Sequence, residues 1–223
     1  MKIFAIVPVK SFENAKSRFG SFLNTHERIR LSGMLLARTI STLKKTPSIQ
    51  KILLVSADDR IKGISSNCGV TFLEEIKEAG VNPAVKLADE FCSSARADAS
   101  LVLPTDLPLI VPEDIDIMCK SVLEEEDCVI LCPSYKFDGS NVLLRKPCNI
   151  ISTSYDKESY PNHVLAGIRC NVKTRVLFLD RLMIDIDTVN DIKKMLSFSQ
   201  SNDRITRYLK TILTRQKRWV GDE

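Results

Sequence analysis

Four short apolar runs alternate with helix-length amphipathic segments in the first half of the chain, and this alternation restricts the fold more than any other feature. The runs occupy residues 2–9, 51–56, 70–73 and 101–103. Runs of this length bounded by turn residues are typical of buried strands. The segments between them predict helices, the first of which begins with a capping box of Asn24 and Glu27. The order β-α-β-α-β-α-β indicates a parallel, doubly wound sheet with right-handed crossovers.

Turn residues mark the helix boundaries in this half. Gly69 follows a short helix predicted over residues 60–68, and the turn at residues 80–83 begins a helix that runs toward residue 97. We expect Asn82 to cap that helix, because an asparagine side chain can accept hydrogen bonds from the first free amides.

The second half of the chain is less regular. Its predicted elements are a helix over 113–126, a strand over 128–133, a turn at 138–141 leading into a strand over 142–145, a helix over 161–170, a strand over 175–179 and a helix over 189–196. The segments 128–133 and 142–145 suggest a hairpin or an antiparallel insertion. We expect one α/β domain over residues 1–223, Rossmann-like, with a mostly parallel central sheet and flanking helices. An irregular insertion at about 135–160 and a basic C-terminal helix at about 201–218 complete the prediction.

Composition disfavours several classes of protein. The 223 residues are 44% hydrophobic and can bury a core, and a net charge of +4 gives no indication of nucleic-acid binding. No run approaches the roughly 18 apolar residues that span a membrane, and the segment 1–8 is too short for a signal peptide. The basic C-terminal segment is most simply a solvated helix face, with a partner-binding or RNA-binding tail as the alternative.

The seven cysteines are odd in number and contain no C-x-x-C pair. They predict reduced, mostly buried thiols rather than disulfides, a redox centre or a zinc site. Residence in the cytoplasm is expected from this pattern.

Asp106 follows the apolar run 101–103 and lies between Pro104 and Pro108. Open parallel sheets bind ligands beyond the carboxyl ends of their strands, so this carboxylate is a candidate site residue. The alternative is an aspartate that accepts hydrogen bonds from backbone amides in the turn before the next helix.

Asp185 and Asp187 alternate with Ile184 and Ile186. In an extended chain both carboxylates face the same way, and they repel each other unless a cation lies between them. A divalent metal is one such cation. The alternative is that Asp187 or Thr188 caps the following helix while Asp185 is solvated.

Three cations, Lys10, Lys16 and Arg18, follow the first strand in a loop that has no glycine-rich phosphate motif. Together with three aspartates at predicted strand ends, they suit magnesium and a nucleoside triphosphate. Phosphoryl or nucleotidyl transfer needs mainly positioning and charge neutralisation, so no cysteine or serine nucleophile is required.

Several motifs together resemble the 2-phospho-L-lactate guanylyltransferases, over nearly the whole chain up to about residue 196. The matching stretches are Val7-Pro8-Val9-Lys10, Ala15-Lys16-Ser17-Arg18, Gly80-Val81-Asn82, Thr105-Asp106-Leu107-Pro108-Leu109, Asp138-Gly139-Ser140-Asn141 and Asp185-Ile186-Asp187-Thr188. The resemblance implies a nucleotidyltransferase fold of the glycosyltransferase-A type. It also implies transfer of GMP from GTP to 2-phospho-L-lactate, giving lactyl-2-diphospho-5'-guanosine and pyrophosphate, in the biosynthesis of the deazaflavin coenzyme of archaea. A homodimer with only small-molecule substrates is expected, without nucleic acid or membrane partners.

The same resemblance implies roles for individual residues. Asp106, Asp185 and Asp187 correspond to magnesium ligands, and Asp106, Lys16 and Arg18 are the expected catalytic residues. The expected nucleotide-binding residues are Lys10, Lys16, Arg18, Ser56, Asp58, Asn82 and Thr105, and the expected acceptor-binding residues are Ser140, Asn141, Ser159 and His163. One departure from the family pattern concerns the acceptor pocket. Where the family carries a glycine-rich Phe-Gly-Pro-Gly-Ser stretch, this chain has Tyr155-Asp156-Lys157-Glu158-Ser159.

Other functions remain open at this point. The acceptor could be phosphoenolpyruvate, 3-phosphoglycerate, a sugar phosphate or molybdopterin. From other classes, the chain could be a non-catalytic nucleotide-binding regulatory module or a thiol-based redox protein. A general base is not needed for the guanylyl transfer, since a phosphomonoester with a second pKa of about 6 is largely dianionic at neutral pH.

Overall fold

The structure is a computed structural model that describes residues 1–122, 126–198 and 202–220. Its centre is a seven-stranded sheet. The strands are β1 (Ile3–Pro8), β2 (Ile49–Ser56), β3 (Thr71–Glu74), β4 (Ala99–Val102), β5 (Cys128–Pro133), β6 (Ser140–Lys146) and β7 (Lys173–Val176).

The strand order is β3-β2-β1-β4-β6-β5-β7. The first four strands are parallel to one another, which confirms the alternation predicted from the sequence. β6 runs antiparallel to both β4 and β5, so the predicted hairpin also forms. Because β6 is reversed, its amino end lies at the same edge of the sheet as the carboxyl ends of β1 and β4.

In the described part of the chain, eight α-helices connect and cover these strands. They are α1 (Thr25–Lys45), α2 (Asp59–Cys68), α3 (Val81–Ser94), α4 (Pro112–Lys120), α5 (Ser159–Arg169), α6 (Asp180–Met183), α7 (Val189–Phe198) and α8 (Arg204–Val220), and a 3-10 helix covers Ser17–Phe22. The predicted capping box is present, with the amide of Glu27 donating to Asn24 and the amide of Asn24 donating to Glu27. Gly69 ends α2 with a φ of 62°, a conformation that glycine adopts at little cost.

Both faces of the sheet are buried. Along β1, alternate side chains enter two separate cores: Ala5 and Val7 pack on the face covered by α1, and Phe4 and Ile6 on the face covered by α3. Because side chains on both faces of the sheet are buried, the strands are continuous apolar runs in the sequence. A third cluster joins α1, α7 and α8.

The C-terminal helix α8 has one apolar face and one basic face. Ile205, Leu209 and Ile212 are buried against α1 and α7, whereas Arg207 and Lys210 are exposed. The predicted start of this helix includes residue 201, which lies outside the described residues. Within the described ranges, no helix combines the length and the apolar character needed to cross a membrane.

Several local predictions were wrong. Asn82 does not cap α3, because the helix already begins at Val81 and Gly80 occupies the N-cap position. α4 ends at Lys120 rather than at residue 126, and residues 123–125 lie outside the described part of the chain. β7 begins two residues earlier than predicted. Residues 184–187 form no strand and connect α6 to α7 as irregular chain.

Candidate active site

A cleft of about 710 Å³ opens at the carboxyl edge of the parallel strands. The loops after β1 and β4, the tip of the β5–β6 hairpin, the start of α5 and the segment before α7 all contribute to its walls. Ten of the residues predicted from the sequence line this one cleft: Lys10, Lys16, Arg18, Thr105, Asp106, Ser140, Asn141, Ser159, Asp185 and Asp187.

Lys16 connects the basic loop to the acidic centre of the cleft. Its ammonium nitrogen lies 3.2 Å from Oδ2 of Asp106, 3.1 Å from Oδ1 of Asp187 and 2.5 Å from the carbonyl oxygen of Ile186. The side chain is only 8% exposed. Burial opposes its charge, but the two carboxylates outweigh burial and raise the pKa of Lys16 above its usual value. The chain itself therefore supplies a cation between Asp106 and Asp187.

Hydrogen bonds of Arg18 and of Glu78 fix the rest of the basic loop. Arg18 donates from Nη1 to Oδ2 of Asp187 at 2.8 Å while its side chain remains 75% exposed. Glu78 accepts hydrogen bonds from the amide of Ser11 and the side chain of Asn14. The loop thus keeps a defined shape without the glycine-rich motif of other phosphate-binding loops.

Asp106 and Asp185 are two carboxylates that line the acidic part of the cleft. Oδ1 of Asp106 is buried and has no hydrogen-bond partner among the described residues. Burial, followed by the charges of Asp106 and Asp187, raises the pKa of Asp185 to about 6. Asn141 donates to Asp185 at 3.4 Å and to the carbonyl of Leu182 at 2.9 Å.

The three aspartates converge on one cleft, although the arrangement is not that of a preformed metal cluster. The amide of Ile186 donates to the carbonyl of Asp106 at 3.0 Å, so the two acidic segments are in direct contact. Within the described ranges, no three histidine, cysteine, aspartate or glutamate side chains are placed to hold a metal ion. Lys16 instead occupies the space between Asp106 and Asp187.

Asp191, which sequence reasoning missed, fixes the backbone beside Asp187. Its Oδ2 accepts hydrogen bonds from the amides of Asp187 and Thr188, and its Oδ1 accepts one from Lys136. The amide of Asp191 donates to the hydroxyl of Thr188 in return. This reciprocal pair is a capping box at the start of α7, and the spacing Thr188-x-x-Asp191 was the signal that could have revealed it. The helix-capping alternative is therefore confirmed for Thr188, but Asp185 is partly buried at the cleft rather than solvated, and the metal alternative stays a prediction.

Ser140, at the start of β6, lies beside Ser159 and His163 of α5, and β4 separates β6 from β1 and its basic loop in the sheet. The hydroxyl of Ser159 accepts the amide hydrogen of Ser140 at 2.7 Å, and Ser140 Oγ lies 2.9 Å from Nδ1 of His163. His163 is fully buried behind Ser140 and does not line the cleft. The structure thus places two of these predicted acceptor-binding residues at the cleft surface and the third beneath them.

Three residues predicted to bind the nucleotide do not line the cleft. Ser56 is fully buried and accepts the amide hydrogen of Asp58, and Asp58 accepts hydrogen bonds from Arg60 and from the amide of Phe12. The hydrogen bonds from Arg60 outweigh the effect of burial and lower the pKa of Asp58 to about 2. These two residues support the loop after β1 from behind. At this end of the cleft the acids that line its wall are instead Glu75 and Glu78, after β3.

Asn82 binds the segment 155–159, which stands where the family carries its glycine-rich stretch. Its Oδ1 accepts the amide hydrogen of Tyr155 at 2.9 Å, and its Nδ2 donates to Asp156 at 3.0 Å. Glu158, at the end of this segment, has a φ of 47°. The chain therefore adopts a glycine-like conformation here without a glycine.

The model of the family described as "Guanylyl transferase CofC like" matches residues 1–217. The chain belongs to this family. The match extends from β1 into α8 and includes all of the predicted site residues. As a member of the CofC-like guanylyl transferases, the protein is a nucleotidyltransferase, in agreement with the function expected from its sequence.

Two curated relatives of this CofC-like chain carry different acceptor names. A 2-phospho-L-lactate guanylyltransferase from Methanobrevibacter smithii is 29% identical over 210 residues, which is 94% of this chain and 90% of the relative. A phosphoenolpyruvate guanylyltransferase from Rubrobacter xylanophilus is 30% identical over 195 residues, which is 87% of this chain and 94% of the relative.

Among solved structures, a putative nucleotide-diphospho-sugar transferase from Desulfovibrio desulfuricans is similar to this CofC-like chain with a TM-score of 0.78. The similarity covers 96% of this chain and 98% of that one at 13% sequence identity. It supports the nucleotidyltransferase fold that the motifs predicted.

Proposed function

We propose that this CofC-like guanylyltransferase moves GMP from GTP to 2-phospho-L-lactate, producing lactyl-2-diphospho-5'-guanosine and pyrophosphate in the biosynthesis of a deazaflavin coenzyme. The observation that supports this most directly is the order of groups along one cleft. In the strand order β1-β4-β6, the basic loop follows β1, Asp106 follows β4 and is bridged to Asp187 by Lys16, and Ser140 begins β6 beside Ser159. Such an arrangement fits a triphosphate and a phosphorylated acid that meet at the acidic centre.

The reaction is a single displacement at phosphorus. A phosphate oxygen of the acceptor forms a bond to the α-phosphorus of GTP, and the bond from that phosphorus to the bridging oxygen breaks. The electron pair leaves with pyrophosphate. No general base is required, because the attacking phosphate is already largely dianionic at neutral pH.

In this proposal Lys16 and Arg18 neutralise the charge that develops on the departing pyrophosphate. Lys16 is held at the acidic centre, whereas Arg18 is mostly exposed and can follow the leaving group. Lys10 and Thr105 line the same cleft and would contact the nucleotide. Positively charged groups placed in advance stabilise the transition state because they need not reorganise during the reaction.

Asp106, Asp185 and Asp187 are proposed to hold magnesium together with triphosphate oxygens, since the described side chains alone form no three-residue metal site and Lys16 lies between Asp106 and Asp187. The buried, unpartnered Oδ1 of Asp106 and the raised pKa of Asp185 both indicate oxygen atoms that would gain from a nearby cation. A few carboxylates combined with phosphate oxygens and water suit this hard ion. When bound, magnesium supplies neutralisation of the phosphate charge during transfer.

The acceptor is a small acid that carries both a carboxylate and a phosphate. 2-Phospho-L-lactate and phosphoenolpyruvate share these groups and differ at the carbon that bears the phosphate. The two relatives with these names are about equally similar to this chain, at 29% and 30% identity. Phosphoenolpyruvate is therefore the first alternative acceptor to test.

Guanine recognition is proposed to involve Glu75. This side chain lines the cleft beyond β3, is partly buried, and makes no side-chain hydrogen bond to the described residues. Burial and the charge of Glu78 raise its pKa. A carboxylate can accept hydrogen bonds from both N1–H and the 2-amino group of guanine. Glu75→Gln should therefore reduce the preference for GTP over ITP, measured as the ratio of the two kcat/KM values.

The decisive experiment is a screen of purified protein with magnesium, each nucleoside triphosphate and each candidate acid, in which pyrophosphate release is measured. Release that requires both GTP and 2-phospho-L-lactate supports the proposal. Pyrophosphate release with GTP and phosphoenolpyruvate, but not with 2-phospho-L-lactate, would mean that phosphoenolpyruvate is the acceptor. The protein would still be a guanylyltransferase. GTP binding without pyrophosphate from any acid would contradict the proposed function.

A homodimer in the cytoplasm is proposed as the working form. Phe137 and Phe178 are about half exposed, at 49% and 59%, and their rings pack with centroids 6.1 Å apart. An exposed aromatic pair of this kind is suited to contact with a second copy. Light scattering at several concentrations tests the assembly, and a mass of one chain throughout would exclude it.

A further inference from the structure

His163 is connected to the cleft through hydrogen bonds whose directions can be deduced. Its Nε2 lies 2.9 Å from the amide nitrogen of Ser154, and its Nδ1 lies 2.9 Å from Oγ of Ser140. A backbone amide can only donate, so Nε2 must be the unprotonated, accepting nitrogen. The ring is therefore neutral with its proton on Nδ1, and it donates that proton to Ser140.

The surroundings keep the ring in this state. His163 is fully buried, and the ring of Tyr155 meets it edge-on with centroids 4.8 Å apart. Burial, assisted by the charge of Arg145, lowers the pKa of His163 to about 4. The imidazole is thus neutral at physiological pH and cannot rotate without breaking both hydrogen bonds.

The neutral, oriented ring fixes which hydrogen bonds the hydroxyl of Ser140 can accept and donate. Its oxygen accepts from His163, which leaves its own proton to be donated elsewhere. The hydroxyl of Ser159 is likewise left to donate its proton, since its oxygen accepts the amide hydrogen of Ser140 at 2.7 Å. Within the part of the chain that the structure describes, neither hydroxyl donates to a protein acceptor. Both line the cleft, with exposures of 5% and 6%.

We propose that His163 is a positioning residue that makes Ser140 a hydrogen-bond donor to an anionic oxygen of the acceptor substrate. The role deepens the proposed function, on which it rests, because the acceptor is taken to occupy the wall formed by Ser140 and Ser159. A carboxylate or phosphate oxygen accepts such a bond, whereas a group that can only donate is disfavoured. The family resemblance assigned His163 to the acceptor, and the structure indicates that it acts through Ser140 rather than by direct contact.

The tautomer can be tested without an activity assay. The chain has two histidines, and the exposed His26 is assigned by comparison with His26→Gln. Long-range ¹⁵N–¹H correlation spectra of the wild type should show His163 with a protonated Nδ1 and an unprotonated Nε2. A protonated Nε2 would overturn the proposal, because the hydroxyl of Ser140 would then be free to donate to the ring.

Kinetics test the consequence for the substrate. In His163→Gln, the side-chain carbonyl can still accept from Ser154, but the ring nitrogen Nδ1 that donates to Ser140 is lost. We expect KM for the acceptor to rise roughly 3- to 10-fold, as for the loss of one oriented hydrogen bond. The kcat and the KM for GTP should stay within about twofold. His26→Gln serves as the matched control and should behave as the wild type.

A double-mutant cycle separates positioning from a structural role. If His163 acts through Ser140, the double variant Ser140→Ala with His163→Gln should show the same acceptor KM as Ser140→Ala alone. Additive effects on this KM, or an unchanged acceptor KM in His163→Gln, would overturn the proposal. If the wild type transfers GMP to no anionic acid, the proposed function itself fails, and that outcome is distinguishable because it precedes any comparison of variants.

Discussion

The ammonium nitrogen of Lys16 lies 3.2 Å from Oδ2 of Asp106, although the two residues are 90 positions apart in the sequence. The contact joins the loop after β1 to the loop after β4 across the cleft. Asp187 completes the bridge from the segment before α7, at 3.1 Å from the same nitrogen. Three separate stretches of the chain thus meet at one charge-balanced centre.

The first prediction concerns Asp106, which has one oxygen on Lys16 and one buried oxygen without a described partner. Asp106→Asn keeps the shape of the side chain but removes its charge. We expect kcat for guanylyl transfer to fall by about 100- to 1000-fold, the usual cost of losing charge stabilisation in a transition state. Thermal unfolding should change little, because Lys16 keeps its contacts with Asp187 and Ile186.

Asp59→Asn is the matched control, since this carboxylate is exposed in the first turn of α2 and lies outside the cleft. Its kcat should equal that of the wild type. Near-normal transfer by Asp106→Asn in the same assay would remove Asp106 from the catalytic centre.

The second prediction concerns the cation at the centre of the cleft. Lys16→Met leaves Asp106 and Asp187 facing each other in a buried site without their ammonium partner. We expect the free energy of unfolding to fall by about 3–5 kcal/mol in the absence of metal, as when one partner of a buried ion pair is removed. Added magnesium should raise the Tm of this variant more than that of the wild type, because the cation relieves the repulsion.

Lys10→Met is the corresponding control, since Lys10 lines the same cleft but its side chain is exposed. Its Tm in EDTA should stay close to that of the wild type. If magnesium raises the Tm of Lys16→Met no more than that of the wild type, the aspartates do not form a cation site.

Local patterns in the sequence were sufficient to predict most of the sheet. The capping box at Asn24, the glycine after α2 and the apolar runs depend on neighbouring residues, and the structure confirms each of them. The alternation of Ile184 and Ile186 with the two aspartates also holds, because both isoleucines are buried while the carboxylates face the cleft.

Contacts between distant segments could not be predicted in the same way. Nothing near Lys16 indicates that its ammonium group lies between Asp106 and Asp187, and nothing near Lys136 indicates its bond to Asp191. Asn82 shows the same limit, since its local sequence suits a helix cap but its side chain binds the segment that begins at Tyr155. The order of the strands in the sheet brings the two residues of each pair together, and the sequence around either residue does not predict its partner.

The third prediction concerns Glu158, an exposed residue with a φ of 47° at the start of α5. A side chain with a Cβ costs about 1–2 kcal/mol in this conformation, whereas glycine adopts it freely. Glycine also adds entropy to the unfolded chain, which offsets part of the gain. We expect Glu158→Gly to stabilise the protein by up to about 1 kcal/mol, measured by urea unfolding. Glu158→Ala keeps the strain and serves as the control, and a clear loss of stability in the glycine variant alone would contradict the argument.

The fourth prediction concerns the dependence of stability on pH through His163. Its pKa is about 4 in the folded protein and about 6.5 in an unfolded chain. Above pH 6.5 both states hold the ring neutral, so it contributes no pH dependence. As the pH falls toward 4, the unfolded chain binds a proton that the folded protein does not. The unfolded state is therefore favoured, and between pH 7 and pH 5 this should reduce the free energy of unfolding by about 2 kcal/mol.

His163→Gln isolates that contribution, because glutamine does not titrate while every carboxylate remains in both proteins. The difference in unfolding free energy between wild type and variant should shrink by about 2 kcal/mol from pH 7 to pH 5, since only the wild type carries the histidine penalty. Urea titrations at half-unit pH intervals measure it. A difference that stays constant over this range would mean that the ring binds a proton equally well in the folded state. Nε2 could not then accept from Ser154, and the orientation assigned to Ser140 would have to be abandoned.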